Sequence, residues 1–428
     1  MPILLPLILA AAPARATDMP SPERMKADVA ALVAFGTRHS LSVTDDPAHG
    51  IGAARKWAAD QLNHISDGCG GCITVANIGR TFTGPRAPDG VEIVDVLGFQ
   101  QGEDPKRVVI VGGHIDSMNG DVMDAKSDAP GANDDASGVA VVLAAARALS
   151  RHKFKATIVY AIFSGEEQGL YGSTLLADTA KERGWTVSAM LNNDIVGNSL
   201  SPDGTRAADR VRVFSEGIRE AADDKATALQ RATGGEDDSP SRELAKTADD
   251  LAITIPGGID VFVDRRPDRF GRGGDHEPFL KLGYPAIRFT VGTENWTGQH
   301  QYVRTENGVH YGDTIDKMDF AYLAKVAAIN IATLRRLASA PAAPQDVTNA
   351  GALSHDTTVK WDAVPGAAKY RVRWRRTDQQ DWTGYRDVTG TEAVIKSVPL
   401  DDNFFGVSSL SADGAESLVT FAGPAPRH

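Results

Sequence analysis

The chain has 428 residues, too many for one ordinary domain and suited to two or three. Hydrophobic residues make up 42% and charged residues 24%, the composition of a soluble globular protein. A formal net charge of -11 argues against nucleic acid or an anionic membrane surface as partner, because both select basic surfaces.

The opening stretch, MPILLPLILAAAPARATDMP, holds a short apolar core from Ile3 to Ala12, and Ala14-Arg15-Ala16 fits an A-x-A cleavage site. It predicts a secretory signal over residues 1–16, hence a secreted or periplasmic protein, although no Lys or Arg precedes the apolar core. A buried N-terminal helix is the poorer reading, because Pro2, Pro6 and Pro13 oppose it. Beyond these residues no apolar run is long enough to span a bilayer. PERMKADVAALVAFG, which stops at Gly36, and GIGAARKWAADQL both have helical spacing. Cys69 and Cys72, in DGCGGCIT, are the only cysteines, so the second pair that a zinc ribbon needs is missing. A local disulfide is preferred to a redox pair, and its loop is too small for much entropic stabilisation.

From about Val91 short apolar β-rich runs alternate with amphipathic helical ones. VEIVDVLGF, RVVIVGGH, KATIVYAIFS, SAMLNNDIVG and PAIRFTVG are predicted strands. SGVAVVLAAARALSRH, with Ser137 as candidate N-cap, GLYGSTLLADTAKERG and DFAYLAKVAAINIATLRRLAS are predicted helices. This alternation predicts an α/β domain over residues 17–338, with a mixed, mostly parallel sheet sandwiched by helices. Residues 339–346, rich in Pro and Ala, read as a linker. Residues 347–428 lose the helical pattern and alternate apolar with polar residues in short runs. They predict a small all-β sandwich resembling a fibronectin type III-like module, with Trp361, Tyr370 and Trp374 in its core.

Acidic and imidazole residues stand at the ends of several predicted strands, where an open α/β sheet places its ligand. His114 ends one strand and Asp116 follows it; Asp134 and Asp135 precede a helix whose N-terminus attracts carboxylates. Glu166 and Glu167 lie side by side after another strand, and Asp194 ends a third. His300 and His310 lie further on. Adjacent carboxylates repel, so Glu166 and Glu167 are either solvated or face a cation. A strand-end carboxylate taken singly is usually just solvated. Carboxylates and imidazoles converging on one sheet edge suit Zn²⁺.

GGHIDS, PGANDDASG, SGEEQGLYGS, NNDIVG and HYGDTIDKMD together resemble, in order and spacing, the zinc-dependent aminopeptidases of the bacterial leucyl-aminopeptidase and aminopeptidase Y type, among the clan MH metallopeptidases. The resemblance runs from about Gly36 to Leu337. It implies two Zn²⁺ per chain, held by His114, Asp134, Glu167, Asp194 and His300, with Asp134 as the bridge. Glu166 would be the general base and Asp116 the orienting partner of His114. Asp135 would lie behind the ligands, joined to Asp134 by a cis peptide. For the last ligand His300 is preferred, because His310 stands three residues before Asp313-Thr314 where the family pattern has four. Asp275 and His276 match a family segment but are read as structural or pocket-wall residues; His39, His64 and His152 are read as surface residues. The implied substrates are peptides with a free N-terminus. The alternatives are a carboxypeptidase or dipeptidase, a glutaminyl cyclase on the same fold, and a receptor-type binding ectodomain, which would have lost ligands.

Overall fold

The computed structural model describes residues 20–425; the predicted signal at 1–16 lies outside them. Helix α1 (Pro22–Val33) starts at Ser21, whose hydroxyl accepts the Arg24 amide, and has proline in its first turn. Helix α2 (Gly50–Gly68) ends at Cys69, which is bonded to Cys72. The chain then alternates: β1 (Thr74–Gly84), β2 (Ala87–Gln100), β3 (Asp104–His114), α3 (Ala136–Leu149), β4 (Ala156–Phe163), α4 (Tyr171–Glu182) and β5 (Thr186–Asn193). There follow β6 (Arg210–Ser215), α5 (Asp224–Ala232), α6 (Pro240–Ala252), β7 (Asp260–Asp264), α7 (Glu277–Lys281) and β8 (Ala286–Val291). A hairpin of β9 (Arg304–Glu306) and β10 (Val309–Tyr311) precedes helix α8 (Phe320–Ser339). Among the described residues no helix is long and apolar enough to cross a membrane.

The eight strands form one sheet in the order β1-β2-β4-β3-β5-β8-β6-β7. Its centre, β4-β3-β5-β8, is parallel; β2 joins β4 and β6 joins β8 antiparallel. The sheet is thus mixed and mostly parallel, as expected. Strand β3 is apolar from Val108 to Gly113 because both its faces are covered. Val109 and Val111 pack beneath α1, α3 and α8, while Val108 and Ile110 pack toward α4 and α7. Strands β1, β6 and β7 were not evident from the sequence. Exposed and half-buried positions alternate along β1, at one edge of the sheet, so no apolar run marks it.

Eight short strands follow: β11 (Thr348–Ala350), β12 (Thr357–Lys360), β13 (Lys369–Arg376), β14 (Gly384–Val388), β15 (Glu392–Ile395), β16 (Asn403–Leu410), β17 (Thr420–Phe421) and β18 (Gly423–Pro424). They make two four-stranded sheets, β15-β12-β11-β18 and β14-β13-β16-β17, that share one core around Val359, Trp361, Tyr370, Val372 and Phe405. Segment 339–346 is not a free spacer. Pro341 and Pro344 are buried, Arg107 donates to the Ala340 carbonyl (2.8 Å), and Thr420 donates to that of Pro344 (2.7 Å).

Candidate metal centre

Strands β4, β3 and β5 lie side by side and parallel, so their carboxyl ends share one edge. His114 is the last residue of β3, Glu166 and Glu167 follow β4, and Asp194 follows β5. The loop before α3 brings in Asp134. Asp135, not Ser137, caps that helix: its carboxylate accepts the Gly138 amide (2.8 Å) and the His114 amide (3.0 Å). Ser137 donates to the Asn133 carbonyl instead. The Asp134–Asp135 peptide is cis.

Two buried groups that the sequence reading did not single out as site residues hold this loop. Asp313 accepts the amides of Asn133 and Asp134, the latter at 2.7 Å. Arg38, fully buried, donates to the carbonyls of Ile115 (2.7 Å), Pro130 (2.6 Å) and Gly131 (2.9 Å). Burial pulls its pKa down to about 10, against the pull of Asp313 and Asp116, so it stays charged at neutral pH.

Five side chains from separate segments meet. His114 Nε2 lies 3.2 Å from Asp134 Oδ1 and 4.0 Å from Asp194 Oδ2. His300 Nε2 lies 3.0 Å from Asp134 Oδ2 and 3.1 Å from Glu167 Oε1. Asp134 therefore turns one oxygen to each imidazole. Donor atoms fall into two sets, each within 4.8 Å: His114, Glu166 and Asp194; and Asp134, Glu167 and His300. His310 is exposed on β10, away from both sets.

The electrostatics favour cations. Burial and the nearby carboxylates raise Glu166 well above its ordinary range and raise Glu167 as well. Burial also raises Asp134, but bonds to His114 and His300 outweigh this and leave it well below. So much buried negative charge is stable only if protons or cations compensate it. His114 Nε2 is buried without a hydrogen-bond partner while facing carboxylate oxygens. An imidazole nitrogen so placed, with carboxylates around it, is a fitting donor set for a divalent ion.

The Asp116 carboxylate faces His114, as the resemblance implies, and has further partners. His114 Nδ1 is nearer the Asp116 backbone carbonyl (3.1 Å) than its carboxylate (3.6 Å). That carboxylate faces the amides of Glu167 (3.2 Å) and Glu166 (3.4 Å), and accepts from Ser40 (3.2 Å). It orients the loop with the paired glutamates. His39 is not a surface residue: it is fully buried, with Nε2 2.8 Å from the Val122 carbonyl oxygen and Nδ1 accepting the Leu41 amide. His64 is exposed and His152 half-buried beside Phe154. Asp275 and His276 are buried outside both donor sets, and His276 Nε2 meets the Pro267 carbonyl (2.7 Å).

A family model described as Peptidase family M28 matches residues 95–334, a span that includes all the converging residues named above. A probable zinc metalloprotease of Pyrenophora teres f. teres is 42% identical over 415 residues, covering 95% of this chain and 86% of its own. Another, of Leptosphaeria maculans, is 41% identical over 411 residues, covering 94% of this chain and 95% of its own. Among solved structures, the LapA aminopeptidase of Legionella pneumophila has a TM-score of 0.52 at 19% identity, over 74% of this chain and 72% of its own. An aminopeptidase of Aneurinibacillus sp. strain AM-1 has a TM-score of 0.51 at 16% identity, over 76% of this chain and 95% of its own. A Porphyromonas gingivalis glutaminyl cyclase has a TM-score of 0.51 at 17% identity, over 74% of this chain and 99% of its own. These structural likenesses speak for the fold. The family match spans more than half of the sequence, so the chain belongs to peptidase family M28.

Proposed function

We propose that this chain is an exported two-zinc aminopeptidase that removes residues from the free N-termini of peptides. One observation carries the reading: Asp134 turns one carboxylate oxygen to His114 and the other to His300. A carboxylate between two donor sets is the arrangement that holds a pair of ions in hydrolases. His114, Asp134 and Asp194 would hold one zinc, and Asp134, Glu167 and His300 the other. When bound, zinc supplies Lewis acidity toward the scissile carbonyl and acidifies water.

The chain's own residues supply proton transfer and orientation. Glu166 is less enclosed than Glu167, and burial pushes its carboxyl up, so it is suited to taking a proton from the attacking water and returning it to the leaving amine. Asp116, on the amides of Glu166 and Glu167, keeps both glutamates turned toward the donor sets. Export is supported by the opening apolar segment and by the Cys69–Cys72 disulfide, which persists in oxidising compartments. Residues 17–338 would be the catalytic domain and 347–428 a fibronectin type III-like module.

The test is hydrolysis of aminoacyl-nitroanilides with free and acetylated amino groups, before and after chelation, together with metal analysis. Cleavage of only the free substrates, lost on chelation and restored by zinc, with two zinc ions per chain, is expected. Equal cleavage of blocked substrates, or indifference to chelation, would refute it. Cyclisation of N-terminal glutaminyl peptides without hydrolysis would point to the cyclase alternative.

A further inference from the structure

Strand β8 runs through the centre of the sheet, and its residues Ala286, Ile287, Phe289 and Val291 are all buried and apolar. Arg288 interrupts this run and is fully buried too. A guanidinium there costs several kcal/mol of lost hydration unless it is well paired. It is paired on two sides. Nη2 lies 2.8 Å from Asp194 Oδ1, and Nη1 donates to Asp268 Oδ2 (2.9 Å) and to the Gly273 carbonyl. Arg288 stands opposite Asn192 across the β5–β8 pair, so its long side chain reaches along the sheet to the residue just past the end of β5.

The two oxygens of Asp194 are thereby divided. Oδ1 is in ion-pair contact with Arg288 Nη2, which makes no aligned hydrogen bond, and Oδ2 is left toward His114 Nε2, 4.0 Å away. We infer that Arg288 is a positioning residue that commits Asp194 to one-oxygen ligation of the ion shared with His114. The inference rests on the two-zinc reading. The planar fork is what the task needs: it spans Asp194 and Asp268 together, which a lysine ammonium cannot do in the same geometry. Asp268 in turn anchors the fork to the loop after β7, and Pro267 beside it is bonded through its carbonyl to His276.

Charge and position make opposite predictions. Deleting a positive charge beside a cation site should tighten zinc; losing an outer partner of a ligand should loosen it by about 10–100-fold. The experiment is zinc competition with a chromophoric chelator on the full chain. His300→Ala, which removes a donor from the second set only, identifies which ion is which. For Arg288→Met the expected result is about 10–100-fold weaker binding of the first ion, with the second held as in the native chain. Arg288→Lys should restore part of the loss, and Asp268→Asn should produce a smaller loss at the same ion. If Arg288→Met does not fold, these two milder variants carry the test. An unchanged or tighter first ion in all folded variants, or equal weakening of both ions, would overturn the inference. A native chain that takes up no zinc would overturn the functional reading beneath it, whereas two native ions with indifferent variants would sink the arginine's role alone.

Discussion

Glu166 and Glu167 show how much one residue's place decides. The two are neighbours with like charge, yet Glu167 is turned to His300 while Glu166 joins His114 and Asp194. Their separate orientations come from a loop whose amides are taken up by buried Asp116. Glu166→Gln keeps the shape and removes the proton acceptor. Its zinc content should match that of the native chain, and its kcat should fall by about 10²–10⁴-fold. Metal analysis and steady-state rates on one preparation check this; native turnover would remove Glu166 from the base role. His114, Asp134, Glu166, Glu167, Asp194 and His300 were legible as candidates because each stands beside a recognisable strand, helix or motif. Asp116 was placed on His114 by its spacing of two, but which backbone amides a carboxylate meets is set by loops that spacing does not describe.

At the scale of one element, helix α3 is held by contacts that its own sequence does not announce. Gly138 is its third residue, and a Cβ there would lie 2.2 Å from the Asn193 carbonyl oxygen and 2.3 Å from Asp135 Oδ2. Gly113 on β3 is in similarly close approach to the Gly138 backbone. The helix thus packs backbone to backbone against the ends of β3 and β5, where the donor residues emerge. Alanine normally favours a helix over glycine by about 1 kcal/mol. Here Gly138→Ala should destabilise the chain instead, by about 1–3 kcal/mol or more, because the atoms in the way are backbone and a capping carboxylate that cannot swing aside. Thermal unfolding at fixed zinc is the measurement, and a raised midpoint would contradict it. The helix itself was evident from its apolar run; its cap was misplaced by two residues because Ser137 and Asp135 are both good caps and only the fold assigns Ser137 to the Asn133 carbonyl.

Across the whole molecule, the C-terminal sheets and the α/β portion are joined by buried charge. Arg375 on β13 is 2.6 Å from Asp238, both almost wholly buried, and Trp382 donates to Glu243 on α6 (3.0 Å). Lys246 holds the other oxygen of Asp238 (2.8 Å). Arg375→Ala should therefore cost about 3 kcal/mol, the lower end for a broken buried pair, because Lys246 remains. Denaturant unfolding would show it; no loss would mean that the junction is solvated. Glu416 is buried among arginines of both portions, with Arg336 from α8 and Arg371 and Arg373 from β13. Burial raises its carboxyl, but Arg373, Arg336, the Ser408 hydroxyl and Arg371 outweigh this and bring it down to about 2. A folded-state value below the unfolded one stabilises above the unfolded value and is lost as pH falls. Stability should therefore drop as pH falls from about 4.5 toward 2. Glu416→Gln should be weaker at neutral pH and show a shallower fall over that window, as pH-dependent melts would show.

The apolar runs of β3, β4, β5 and β8 and the amphipathic helices follow from side-chain periodicity, which is local, so the chain's order of residues was enough to reveal a layered α/β portion and a change to short strands after residue 346. The candidate donor residues came from the resemblance of their motifs to a known family. The partners of those residues depended on the folded arrangement. Arg38, Asp313 and Arg288 act on groups from about 80 to 180 positions away, or across a sheet, and a lone arginine in an apolar run is indistinguishable by pattern from a misplaced surface residue. Only when β5 and β8 lie side by side does Arg288 meet Asp194, because that contact is created by strand pairing and by nothing encoded near either residue.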